Sequence, residues 1–158
     1  MSSKAELPRG TVTFLFTDIE GSTRLLKQLR ERYTEALAEH QRILREAFDE
    51  HGGREVDTQG DSFFVAFPRA KDAVAAAVEA QCALAEHSWP EGAEFRVRMG
   101  VHTGEPTVGA ERYVGLGVHR AARICAAATS SASRPANNVE AVAFSGGNSS
   151  ARPGATSW

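Results

Sequence analysis

The sequence is poor in cysteine and lacks long apolar runs. Its two cysteines, Cys82 and Cys125, fall in predicted helices without the spacing of a metal site, so we expect two buried free thiols in a reducing compartment. No apolar run approaches the roughly 20 residues of a membrane span. The polar residues 1–10 do not resemble a signal peptide. These absences favour a cytoplasmic protein with no membrane association.

The chain also lacks an excess of charge of either sign. It has 18 Lys and Arg against 20 Asp and Glu, which gives a formal net charge of −2. Such a balance provides no electrostatic footprint for nucleic acid, so we expect no nucleic-acid partner. No Gly-x4-Gly-Lys-Ser/Thr segment occurs, which excludes a P-loop NTPase. With 158 residues, 42% of them hydrophobic, the chain is long enough for one domain with a substantial core.

A predicted strand near the N-terminus ends in a carboxylate and is followed by the start of a helix. Apolar residues 12–16 predict the strand, Asp18 follows it, and the small residues 21–23 precede an amphipathic run. A carboxylate here can hold Mg²⁺ or Mn²⁺, and the free amides of a first helical turn can bind phosphate oxygens. The alternative is that Ser22 or Thr23 simply caps a surface helix.

A second carboxylate, Asp61, lies in a predicted hairpin. Residues 55–58 and 62–67 are typical of two short strands, and Gly60 supplies the backbone freedom of the connection. Gly-Asp is also ordinary turn chemistry, which is the alternative. If the strands are neighbours, however, Asp18 and Asp61 are placed to share a metal pair, as in two-metal phosphoryl-transfer sites.

The hydrophobic periodicity predicts an α+β fold with the order β-α-β-β-α-β. Helices are expected over 22–51, as one long helix or two nearly collinear ones, and over 71–87, followed by a strand over 95–102. This is the ferredoxin-like (palm-like) arrangement, with an antiparallel sheet and helices on one face. Its topology allows the first strand to lie beside the hairpin, which would bring Asp18 and Asp61 together.

Four ordered segments between residues 10 and 128 carry a family pattern. They are TFLFTDIEGST at 13–23, QGDSF at 59–63, RMGVHTG at 98–104 and YVGLGVHRAAR at 113–123. Together they resemble the bacterial class III nucleotidyl (adenylate and guanylate) cyclases. The resemblance implies a domain that converts ATP or GTP to 3′,5′-cyclic nucleotide and pyrophosphate with two Mg²⁺ or Mn²⁺ ions. It also implies a head-to-tail homodimer with active sites at the interface.

The resemblance implies a role for each matching residue. Asp18 and Asp61 would hold both metal ions, with the backbone carbonyl of Ile19 as an extra ligand. Arg123 would act across the dimer on the α-phosphate in the transition state; the alternative is an ordinary solvated arginine on a helix face. The β- and γ-phosphates would be cradled by the amides of Ile19, Glu20, Gly21, Ser22 and Thr23.

Three positions depart from the family pattern. Asp57 stands where adenine-specific members have a lysine, and Arg112 (or Tyr113, if the alignment slips by one) replaces their base-reading aspartate. Asp57 and Arg112 either pair with each other or read a base in another way, so the choice between ATP and GTP stays open. His119 stands where many members have a ribose-orienting asparagine, although imidazole can still donate a hydrogen bond. Losing one preorganised donor typically costs about 10²–10³ in rate, so these departures leave open both an active and a weakly active enzyme.

The composition changes after residue 128. Residues 129–158 are dominated by Ser, Ala, Gly, Pro and Asn, without lasting periodicity. We expect a mostly disordered low-complexity tail, with at most one short strand at 139–144, where the family usually continues with further strands. The resulting division is a flexible N-terminus (1–9), a cyclase domain (10–128) and an altered or truncated C-terminal tail (129–158).

Two other functions remain open. One is a catalytically inactive nucleotide-binding or dimerisation module that regulates a partner, which the missing base-reading pair favours. The other is a different two-metal phosphotransferase on the same core, such as a polymerase or a diguanylate-cyclase-like enzyme. The chain has no Gly-Gly-Asp-Glu-Phe run, which disfavours the diguanylate cyclase.

Overall fold

A computed structural model describes residues 6–108 and 113–114. The predicted positions Arg112, His119, Arg123 and Cys125 and the tail 129–158 lie outside the described residues. The elements, in chain order, are β1 (Val12–Ile19), α1 (Ser22–Leu29), a 3-10 turn (Arg30–Arg32), α2 (Tyr33–Glu50), β2 (Arg54–Gln59), β3 (Ser62–Phe67), α3 (Ala70–Glu86), a second 3-10 turn (Pro90–Gly92), β4 (Val97–Gly104), β5 (Thr107–Val108) and β6 (Tyr113–Val114).

The main sheet has four antiparallel strands in the order β2-β3-β1-β4. Strand β1 therefore lies between β3 and β4: Thr17 is opposite Phe63 of β3, and Asp18 is opposite Arg98 of β4. The β-α-β-β-α-β order, the antiparallel sheet and the neighbouring placement of the first strand and the hairpin are confirmed. Strands β5 and β6 form a separate two-stranded sheet.

The two faces of the sheet bury different clusters because successive side chains of a strand point to opposite sides. Leu15 and Ile19 of β1 belong to the larger cluster, which contains the buried apolar residues of α1, α2 and α3. Phe14 of β1 packs on the other face against Phe64 and Tyr113, where Phe16 is half-buried. We call this second face the open face, since the described helices contribute nothing to its cluster.

The predicted helix over 22–51 is two helices. A 3-10 turn separates α1 from α2, and Arg30 at this break has a positive φ of 49°. The amide of Arg30 still bonds the carbonyl of Leu26, so α1 ends at this residue. The longest described helix, α2, has 18 residues, and none of the helices in the described ranges is both long enough and apolar enough to cross a membrane.

Cys82 corrects one expectation. It lies on α3 as predicted, but its side chain is exposed, whereas a buried thiol was expected. The reason is the orientation of α3: its buried stripe is made by the neighbouring residues Ala80, Gln81 and Leu84, and Cys82 falls on the solvent side. The other half of that expectation, Cys125, is not among the described residues.

His40 is the most deeply buried titratable side chain described in the core. The ring is fully buried on α2, with centroid distances of 6.3 Å to Phe63 and 6.1 Å to Phe95. Neither ring nitrogen has a hydrogen-bond partner within the described part of the chain. Burial disfavours the charged form and lowers the pKa of His40 to about 4. The imidazole is therefore neutral at pH 7.

His40→Leu should remove part of the acid sensitivity of the fold. An unfolded histidine binds a proton below about pH 6.5, whereas the folded His40 stays neutral until about pH 4. Folding stability is therefore lost as the pH falls through this window, by about 2–3 kcal/mol from this residue. Urea unfolding at pH 7 and pH 4.5 should show a smaller loss for the variant than for the parent. Equal losses in both proteins would contradict the assignment.

Candidate active site

Asp18 is held by an arginine on the neighbouring strand. It lies on the open face near the end of β1, directly opposite Arg98 of β4. Arg98 Nε donates to Asp18 Oδ1 and Arg98 Nη2 to Oδ2, both at 2.7 Å. Each side chain is only 27% exposed. Because both carboxylate oxygens are engaged by one guanidinium, this is a bidentate, charge-assisted pair of the strong kind.

Asp61 approaches the same end of β1 from the opposite side. Its Oδ2 accepts a hydrogen bond from the backbone amide of Ile19 at 3.3 Å. The hairpin that carries it is fixed to α2 by a bond from Gln41 Nε2 to the carbonyl of Gly60, at 2.9 Å. Burial, and secondly the negative charge of Asp61, raise the pKa of Tyr33. The Asp61 carboxylate thus lies among β1, the hairpin turn and the start of α2.

The donor set at this strand end is suited to a hard divalent cation. Asp18, Asp61 and the carbonyl of Ile19 offer only oxygen ligands, which Mg²⁺ and Mn²⁺ prefer. Among the residues that the structure describes, no group of three or more His, Cys, Asp or Glu side chains is arranged to hold a metal by itself. Mg²⁺ is commonly bound by one or two carboxylates, with phosphates and water completing its shell. The residues present therefore fit a metal that arrives with a nucleotide.

Helix α1 begins shortly after the end of β1, separated from it by Glu20 and Gly21. Gly21 caps the helix in the left-handed region, with φ 67°, and its carbonyl accepts the amides of Arg24 and Leu25 at 2.9 and 3.1 Å. The alternative that Ser22 or Thr23 caps the helix is wrong, because α1 begins at Ser22 and has no side-chain cap. Uncapped first-turn amides are a ready anion site.

Two of the five amides assigned to the phosphate cradle already donate within the protein. The amide of Ile19 bonds Asp61, and the amide of Glu20 bonds the carbonyl of Arg96 at 2.8 Å. These bonds hold the loop between β1 and α1 to the β2–β3 hairpin and to the residue just before β4. The uncapped part of the cradle is thus the stretch 21–23.

Asp57 lies at a β-bulge that the sequence did not predict. The pairing register of β2 with β3 shifts between Glu55 and Asp57, and Asp57 comes to lie opposite Phe64. Residues directly opposite in an antiparallel pair share a face, so Asp57 belongs to the open face, as Asp18 does. It is exposed, and its oxygens accept the Thr58 amide and Gln59 Nε2, each at 2.9 Å.

Arg98 is a residue of this site whose role the sequence pattern did not reveal. Because side chains alternate along a strand, Arg98 lies on the face opposite Val97 and Met99, which are buried in the helix-side cluster. Alternation does not reveal which residue of another strand lies opposite. The pairing with Asp18 follows from the β1–β4 register, which is a long-range property.

The comparisons with known proteins agree on one family. The profile of the adenylate and guanylate cyclase catalytic domain matches residues 5–128. An uncharacterised Mycobacterium tuberculosis protein, Rv0891c, is 40% identical over 119 residues, covering 74% of this chain and 39% of its own length. An adenylate cyclase of Podospora anserina is 31% identical over 153 residues, covering 81% of this chain and 7% of its own length.

Solved structures of cyclases share the fold. A Trypanosoma brucei adenylate cyclase in its monomeric state matches with a TM-score of 0.71 at 26% identity, covering 77% of this chain and 71% of that one. The monomeric guanylyl cyclase domain of the Blastocladiella emersonii RhoGC fusion protein matches with 0.68 at 20% identity, covering 75% of each chain. The chain spans about two fifths of the mycobacterial relatives' length and far less of the fungal enzyme.

Asp18→Asn should destabilise the metal-free protein more than Asp61→Asn does. The first change removes the charge that Arg98 is paired with on a half-buried surface, at a cost of about 1–2 kcal/mol. The second keeps an amide oxygen that can accept the Ile19 amide, so we expect a loss within about 0.5 kcal/mol. Urea unfolding in EDTA measures both. Equal losses would show that the Asp18–Arg98 pair contributes little.

Proposed function

Since this chain belongs to the adenylate and guanylate cyclase catalytic-domain family, we propose that it converts ATP or GTP to the 3′,5′-cyclic nucleotide and pyrophosphate. The observation that supports this most is the end of β1. There Asp18, on β1 itself, and Asp61, from the hairpin between β2 and β3, lie just before the start of α1, which has no side-chain cap.

The reaction needs positioning and charge neutralisation, without a covalent intermediate. The ribose 3′-oxygen forms a bond to the α-phosphorus and loses its proton, while the bond from that phosphorus to the pyrophosphate oxygen breaks. Asp18, Asp61 and the Ile19 carbonyl would hold two Mg²⁺ or Mn²⁺ ions, which when bound activate the attacking oxygen and offset the developing charge. The amides of 21–23 would bind the β- and γ-phosphates.

The remaining machinery lies beyond the described residues. We propose a head-to-tail homodimer in which Arg123 of one subunit contacts the α-phosphate held by the other, and His119 orients the ribose. The Blastocladiella guanylyl cyclase domain has been solved both as a monomer and as a non-canonical dimer. The oligomeric state of this chain should therefore be measured together with its activity.

Asp57, on the open face, and Arg112, which lies outside the described residues, would either read the base or pair with each other. Asp57 is exposed there, and its carboxylate only accepts hydrogen bonds when ionised. It therefore cannot donate a hydrogen bond or carry positive charge, whereas the lysine of adenine-specific members does both. ATP and GTP have to be compared directly to assign the base.

A second function is a nucleotide-binding regulatory module without turnover. The observation that favours it is the Asp18–Arg98 pair, because both oxygens of the expected metal ligand already bind a guanidinium. Such a module would bind nucleotide and form a dimer but release no cyclic product.

The test is formation of cyclic AMP and cyclic GMP from ATP and GTP, with Mn²⁺ and then Mg²⁺. Asp18→Ala should lower the rate at least about a hundredfold, since metal-ion stabilisation of the transition state is worth several kcal/mol. Arg123→Ala should lower the rate without lowering nucleotide affinity as strongly. Asp49→Ala, an exposed aspartate on α2, is the matched control and should keep the parent rate.

Sedimentation of the same samples separates the two functions. A dimer that yields product and loses it in Asp18→Ala supports the cyclase. A folded dimer that binds nucleotide with either metal ion but gives no product rejects the cyclase in favour of the regulatory module.

A further inference from the structure

We propose that Arg98 is the resident counter-ion of Asp18 in the metal-free protein and competes with the divalent ion for it. The inference rests on the proposed function only in taking Asp18 to be a metal ligand. It assigns to Arg98 the setting of metal affinity, a role that follows from the contacts between β1 and β4.

The first support is that the guanidinium uses both oxygens of the carboxylate. The two bonds of 2.7 Å are near the short end for charge-assisted contacts, and the pair is largely shielded from water. Shielding strengthens the attraction between opposite charges relative to a solvated pair. A metal ion that binds Asp18 through the same lone pairs must displace at least one of these bonds.

The second support is that Arg98 and Asp61 lie on opposite sides of β1. In the strand order β2-β3-β1-β4, Arg98 reaches Asp18 from β4, whereas Asp61 lies across β1, at the hairpin that leads into β3. The guanidinium therefore holds Asp18 towards β4, away from the carboxylate with which it would share metal ions. Shared ligation by Asp18 and Asp61 would therefore compete with the contact between Asp18 and Arg98.

The third support is charge. Arg98 keeps its positive charge at all relevant pH values. A divalent cation at Asp18 would lie beside this fixed charge and be repelled by it. Neutralising residue 98 should therefore tighten metal binding, even though the same change removes a stabilising contact from the metal-free fold.

The experiment is a titration of the whole chain with Mn²⁺ alone, with the free ion followed by electron paramagnetic resonance. Arg98→Gln should bind Mn²⁺ about tenfold more tightly than the parent, and Arg98→Lys, which keeps the charge but not the fork, should lie between them. Arg96→Gln removes the same charge from an exposed arginine paired with Glu94 and should stay within about twofold of the parent. Weaker binding by Arg98→Gln would overturn the proposal, because Arg98 would then be orienting Asp18 for the metal.

Two further measurements keep the test decisive. If Arg98→Gln fails to fold by circular dichroism, Arg98→Lys carries the test, and affinity equal to or weaker than that of the parent overturns the proposal. Asp18→Asn separates this inference from the proposed function. If it binds Mn²⁺ as the parent does, the ion is not at Asp18, and the metal site of the proposed function fails together with this inference. If Asp18→Asn loses binding while Arg98→Gln weakens it, the metal site stands and only the competition is rejected.

Discussion

The site depends on the central position of β1 in the sheet. Because β1 pairs with β3 on one side and β4 on the other, a carboxylate from the hairpin and a guanidinium from β4 both reach its last residues. The antiparallel register fixes Asp18 opposite Arg98, and the helix-side cluster around Leu15 and Ile19 fixes the register, since a slip of one residue would expose those side chains. Core packing thus sets the positions of the charged groups.

The parts of the fold that depend on local pattern were predictable from the sequence. The order of strands and helices along the chain and the hairpin followed from apolar periodicity, and the placement of Asp18 beside the hairpin that carries Asp61 followed from the topology. The Asp18–Arg98 pair and the bulge at Asp57 were not predictable, because both depend on register between segments distant in sequence. The exposure of Cys82 was missed because small alanines leave the buried stripe of α3 poorly defined.

Both carboxylates at the end of β1 have hydrogen-bond donors within the protein. Asp18, near the end of β1, accepts hydrogen bonds from the guanidinium of Arg98. Asp61, in the adjacent hairpin, accepts a hydrogen bond from the backbone amide of Ile19. Under the proposed function, binding of metal and nucleotide would exchange these internal partners for external ones, and metal affinity would then depend on how readily the Asp18–Arg98 pair is broken.

The most direct measurement is a crystal structure of the chain with Mn²⁺ and a non-cyclisable nucleoside triphosphate analogue. The account predicts Mn²⁺ between Asp18 and Asp61, triphosphate oxygens on the amides of 21–23, and at least one Asp18–Arg98 bond broken. A nucleotide bound elsewhere, or metal ions that leave Asp18 untouched with both of its bonds to Arg98 intact, would contradict it.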